Sequence, residues 1–134
     1  MLYLFAPFLG WLISGCLKFA INYIKFGSEA KKRIGNGGFP STHTTIVTTT
    51  VALIGLNEGF TSAIFGLGVT FLLIVVIDAI GLRIAVGKHA ISINKLNANK
   101  ALRESMGHTR LEILGGLILG SIIATFLWWL KSSI

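Results

Sequence analysis

Ala63-Ile-Phe-Gly-Leu-Gly-Val-Thr-Phe-Leu-Leu-Ile-Val-Val-Ile-Asp-Ala-Ile80 carries a single ionisable residue, Asp78, close to its end. A bilayer span needs roughly 20 predominantly apolar residues, and this stretch with its flanks reaches that length. Comparable runs cover Leu2 to Ala20 and Leu111 to Leu130, and a shorter one covers Ile46 to Leu56. The short run reaches spanning length only if its helix starts near Ser41 and takes in the threonines that follow. The expected fold is an all-α integral membrane protein: a bundle of about four transmembrane helices with short interfacial helices, forming one domain over residues 1–134.

The composition agrees. Only 13% of the 134 residues are charged and 53% are hydrophobic, whereas a soluble domain carries about 25% charged residues. A net charge of +7 would suggest nucleic acid in a soluble protein. Here the basic residues sit in short inter-helix segments, so the expected partner is the bilayer and its anionic lipids, with no nucleic acid. Cys16 is the only cysteine, which excludes an intramolecular disulfide or a cysteine zinc site. Ile13-Ser14-Gly15-Cys16 loosely matches a lipoprotein cleavage box, but no Lys or Arg precedes the apolar run as a secretory signal requires. The first span is expected to be retained.

Working outward, the first helix spans about Tyr3 to Phe26 and changes character in its second half. Lys18, Asn22 and Lys25 follow i, i+4, i+7 and form one polar stripe. A charge deep in lipid costs about 2.5–3.5 kcal/mol on insertion scales, so the stripe should face protein, water or a ligand. Gly27 to Gly38 reads as a polar loop. Pro40 holds Phe39 extended, and Ser41 is a candidate N-cap for the second helix. Asn57-Glu-Gly-Phe60 is a turn, and a third helix runs from about Thr61 to Arg83. Val86 to Arg110, with Lys88, His89, Asn94, Lys95, Lys100 and Arg103, reads as one or two interfacial helices, amphipathic at Ile84, Ile91, Ile93 and Leu96. The last helix begins near His108, and Trp128, Trp129 and Lys131 mark its far interface. With four spans both basic segments fall on one side. That side is expected to be the cytoplasmic face of a bacterial cell membrane.

This topology gathers the polar chemistry at one end of the bundle. Lys18, Lys25, Ser41, His43, Asp78, Arg83, His108 and Glu112 all belong to helix ends on the same membrane face. Two histidines, one with an acid partner four residues on, can divide a phosphoryl transfer between nucleophile and leaving-group acid. The bland alternatives are a helix cap at His43, an interfacial ion pair at His108–Glu112, a structural Asp78–Arg83 pair, and a solvated face at His89, Asn94 and Lys95.

Gly37-Gly-Phe-Pro-Ser-Thr-His43, Asp78-Ala-Ile-Gly-Leu-Arg83, Ile93-Asn-Lys-Leu96 and Gly107-His-Thr-Arg-Leu-Glu112 together resemble the type 2 phosphatidic acid phosphatase superfamily. They are closest to its divergent branch, labelled acid phosphatase/vanadium-dependent haloperoxidase-related. The superfamily pattern is a lysine, six residues and Arg-Pro; then Pro-Ser-Gly-His; then Ser-Arg, five residues, His, three residues and Asp. Lys18 and Lys25 keep the first spacing, with lysine for arginine and Phe26 for proline. Thr42 replaces glycine in the second motif and Glu112 replaces aspartate in the third. Arg83 stands for the missing arginine, although it lies far upstream of His108. The resemblance implies metal-independent, cofactor-free hydrolysis of a lipid phosphomonoester of the phosphatidylglycerophosphate, phosphatidic acid or polyprenyl phosphate class. His108 would attack phosphorus, Glu112 would hold its imidazole, and His43 would protonate the leaving oxygen. Lys18, Lys25, Arg83, Ser41 and the Gly38 amide would bind the phosphate, with Asp78 and Asn94 in support. The alternatives are a non-catalytic lipid-phosphate binding or transport protein and a small structural membrane subunit. A slim bundle of this kind is also expected to form a homodimer through its small-residue faces.

Overall fold

The computed structural model describes residues 2–33, 38–96 and 101–133. The helices are α1 (Leu2–Phe26), α2 (Thr42–Glu58), α3 (Ala63–Ile80), α4 (Leu82–Leu96) and α5 (Arg110–Ser132). A short 3-10 helix, Gly27–Arg33, occupies part of the segment expected to be loop. Gly37 and Lys100, and the side chains of Lys32 and Arg33, lie outside what is described.

Local chemistry sets the boundaries. Ser41 caps α2 by accepting from the Thr44 amide, and Ser62 caps α3 by accepting from the Phe65 amide. Each side-chain oxygen satisfies a donor that the first helical turn leaves open. Gly59, at φ +91, closes α2 and turns the chain into α3. The third helix ends at Ile80, short of the expected Arg83, because the backbone breaks at Gly81 and restarts as α4.

Among the described residues, three helical stretches are long and apolar enough to cross a membrane: Leu2–Lys31, Ala63–Leu96 and Arg110–Ser132. α2 is shorter and rich in threonine, and it is enclosed by α1, α3 and α5. Thr44, Thr45, Thr48 and Thr49 are all buried. A helix walled by protein does not need an apolar outer face, and small hydroxyl residues let neighbours come close. The Thr45 and Thr49 hydroxyls donate back to the carbonyls of Ser41 and Thr45, so they add no unpaired groups to the interior.

The neighbours meet α2 through small residues. A Cβ added at Gly116 would come within 2.8 Å of the Ser41 carbonyl and of Thr44 Cβ, and one at Gly120 within 2.7 Å of Thr48 Cβ. Gly116 therefore faces Thr44 and Gly120 faces Thr48, which makes α5 parallel to α2. Gly10 of α1 approaches Thr49 and Ile46, and Tyr3 donates to Glu58, so α1 runs antiparallel to α2. Gly68 of α3 packs on Val51, and Phe65 on Gly55, which makes α3 antiparallel as well. Gly10, Gly68, Gly116 and Gly120 are thus packed within the chain, whereas Gly15 and Gly66 meet no neighbour among the described residues. An apolar core of Ala6, Leu53, Ile123, Ala124 and Leu127 fills the half of the bundle remote from the histidines. At that remote pole Lys131 donates to Asn57 Oδ1 at 2.7 Å.

Candidate active site

The parallel run of α2 and α5 brings their N-termini side by side, and the two histidine motifs meet there. The Ser41 amide donates to the Glu112 carbonyl at 2.8 Å. Phe39, whose peptide bond to Pro40 is cis, lays its ring on Gly115 where no side chain would fit.

His108 is buried. It precedes the Thr109 N-cap and does not lie within α5, so its link to Glu112 is not the helical i, i+4 contact expected from the spacing. A capping box makes the link. Glu112 Oε2 accepts from the Thr109 amide at 2.9 Å and lies 3.1 Å from His108 Nδ1, while Thr109 Oγ1 accepts from the Glu112 amide. A carboxylate only accepts, so this contact places the imidazole proton on Nδ1 and leaves the Nε2 lone pair available. Burial pushes the His108 imidazole below its ordinary value, opposed in part by the bond to Glu112. The neutral, nucleophilic form is therefore favoured.

The backbone around His108 is held from three directions. Its amide donates to the Ala79 carbonyl at the end of α3 at 3.0 Å. Gly107, at φ +87, packs so closely that a Cβ would lie 2.6 Å from Ile84 Cγ1, a conformation and a contact that only glycine accommodates. Further upstream, the Asn94 side chain donates to the Leu102 carbonyl and to Glu104 Oε1, and accepts from the Leu102 amide, each at 2.8 Å. Asn94 is thus a clasp for the segment that leads to His108, and the solvated-face reading does not hold for it.

The cations divide into two groups. Arg83 and Lys18 both act electrostatically on His43 and on His108. Arg83 Nε donates to Asp78 Oδ2 at 2.6 Å, which orients the guanidinium and assigns Asp78 to support. Lys25 is exposed at the end of α1 and is not among the charges acting on either histidine. Seven helical residues, about 10 Å, separate it from Lys18, so the expected lysine pair is not brought together. Ser41 also departs from expectation. It is fully buried, and its hydroxyl is occupied by the Thr44 amide and shared with Thr44 Oγ1. It forms part of the cap rather than an open phosphate ligand. The Thr42 and His43 amides beside it have no acceptor among the described residues, and His43 is exposed. Gly38, at φ +119, lies just ahead of this turn.

Two contributors were not singled out from sequence. Arg103 acts electrostatically on Lys18; its signal was a cation five residues ahead of His108. Gly87, where a Cβ would come within 2.7 Å of the Glu104 carbonyl, seats the return segment on α4 and had no sequence signal. Among the described residues no three His, Cys, Asp or Glu side chains gather into a metal-holding group.

A neutral imidazole with an oriented proton, a second imidazole, two cations and a helix N-terminus with open amides share one pole. That set can bind a phosphate dianion and transfer it. Comparison with known proteins points the same way. The family described as "Divergent PAP2 family" matches residues 2–123. The uncharacterized membrane protein YuiD of Bacillus subtilis (strain 168) is 30% identical, over 67% of this chain and 72% of that protein. No solved structure matches the chain.

Proposed function

The chain belongs to the divergent PAP2 family, and from that premise we propose that it is a membrane-embedded lipid phosphate phosphatase. The observation that carries the reading is the buried His108, with Nδ1 held on Glu112, within electrostatic reach of a second histidine and two cations. His108 Nε2 attacks phosphorus, the bond from phosphorus to the lipid oxygen breaks, and His43 gives that oxygen a proton. Glu112 stabilises the positive charge that grows on the imidazole. Water then attacks the phosphohistidine, His43 takes its proton, and the P–N bond breaks to release phosphate. Arg83 and Lys18 neutralise the phosphate oxygens. The open amides at the start of α2 take the place first given to the Ser41 hydroxyl.

The test is phosphate release from phosphatidylglycerophosphate, phosphatidic acid and polyprenyl phosphate by the purified protein in detergent containing EDTA. The expected result is EDTA-resistant release from at least one of them, abolished in His108→Ala. His43→Ala should slow release by about 10²–10⁴-fold, the usual worth of a positioned acid. A non-catalytic lipid-phosphate binder is the second reading; it needs Arg83, Lys18 and the open amides of α2 but not the His108–Glu112 pair. Intact lipid binding with no release from any substrate would select it.

A further inference from the structure

Ala63–Leu96 is a helical stretch of 34 residues. Drawn straight it would be about 51 Å long, against about 30 Å of hydrocarbon. The break at Gly81 divides it, so α4 begins where α3 leaves the apolar layer.

The faces of α4 are sorted. Gly87, Ala90 and Asn94 turn toward the protein, the first and last of them holding the segment around Glu104. Lys88, Ser92 and Lys95 are exposed on a second face. The third carries Leu82, Val86, Ile93 and Leu96 at i, i+4, i+11 and i+14, with the exposed His89 at i+7 in the middle of the same side. The four apolar side chains are 65%, 43%, 48% and 89% exposed. Ile93 and Leu96 belong to the stripe expected from sequence, whereas Ile84 packs inward on Gly107 and Ile91 lies on the opposite side of the helix. α4 bears Arg83, Lys88 and Lys95 and no acidic residue.

We infer that this stripe docks α4 on the headgroup–acyl boundary of an anionic leaflet. Leu82, Val86, Ile93 and Leu96 enter the boundary, and Lys88 and Lys95 reach back to the lipid phosphates. Three features specify the occupant. The end of α3 delivers the helix to the membrane surface. Four exposed apolar side chains share one side, interrupted there by His89 alone, as in helices that lie in the interface plane. The flanking charge has a single sign, complementary to acidic lipids. Lysine stems allow the charge to stay in the phosphate layer while the helix sinks.

The inference stands apart from catalysis and is read without it. In a Cys16→Ser background, which removes the exposed native thiol, Ile93→Cys and Lys88→Cys variants are labelled with an environment-sensitive fluorophore. They are reconstituted in vesicles of phosphatidylcholine with or without phosphatidylglycerol. The label at 93 should be quenched by shallow spin-labelled lipid, more strongly with phosphatidylglycerol, while the label at 88 is quenched by aqueous iodide. Adding Lys95→Glu to the Ile93→Cys variant should lower the docked population about fivefold or more in anionic vesicles. Iodide quenching at 93 equal to that at 88 would overturn the proposal. So would shielding of 93 from both quenchers, which would mean that protein, such as a second copy, covers the stripe. Lipid quenching indifferent to phosphatidylglycerol would overturn its anionic specificity. A Leu82→Cys label provides the same reading if the residue 93 variant fails to fold.

Discussion

His108 and Glu112 carry two duties on a few atoms, since Glu112 Oε2 serves both the Thr109 cap and the imidazole. Glutamine also completes a capping box but cannot stabilise a growing imidazolium. Glu112→Gln should therefore keep the thermal midpoint within a few degrees while phosphate release falls by tenfold or more, and paired unfolding and release assays would separate the two effects. The burial that lowers the His108 value has its own signature. The nucleophile is active unprotonated, so the acid limb of release should lie in the window below about pH 6.5, the ordinary histidine value. The unfolded chain binds this proton more readily than the folded one, so stability also rises with pH across that window. A pH profile whose acid limb lies above the ordinary histidine value would contradict the assignment. The residue types of the site were legible in sequence because they are polar groups in an apolar chain. The cap at Ser41 was legible, but a ligand role would use the same oxygen, and sequence does not say which partner holds it.

Between elements, the seam of α2 and α5 is made of threonine against glycine. Gly120→Leu would force a side chain into Thr48 and the Thr45 carbonyl. Overpacking of this kind costs about 1–3 kcal/mol, readable as a lower unfolding midpoint in detergent. Thr48 offers the opposite case. Its hydroxyl is buried without a partner, so Thr48→Val removes an unsatisfied group and should leave the midpoint unchanged or higher. The apolar runs announced α1, α3 and α5, because a bilayer span requires length and little charge. The break at Gly81 and the true face of α4 were not legible. Periodicity alone offers two stripes, and packing of Ile84 on Gly107 selects between them.

For the molecule as a whole, every group of the candidate site lies at one pole and the Tyr3–Glu58 and Asn57–Lys131 contacts lie at the other. In oriented vesicles, single cysteines at Ser28 and Ser105 should react with an impermeant reagent from the same side, and one at Phe60 from the opposite side. Labelling of all three from one side would refute the arrangement. This polarity was readable from the order of runs and turns, whereas the parallel pairing of α2 with α5 emerged only from their glycine contacts. That pairing bears on how the protein meets bilayers of different thickness. Helices answer such mismatch by tilting. α2 and α5, locked from Gly116 to Gly120, must tilt as one plank, and the two histidines travel together with it. α3 keeps most of its apolar surface outward but is held to α2 by Gly68 on Val51 and Phe65 on Gly55, and to the return segment by the bond from the His108 amide to the Ala79 carbonyl, so it tilts with them. Adaptation to the host membrane is thereby met by the bundle turning as one body, which leaves the spacing of the reacting groups unchanged.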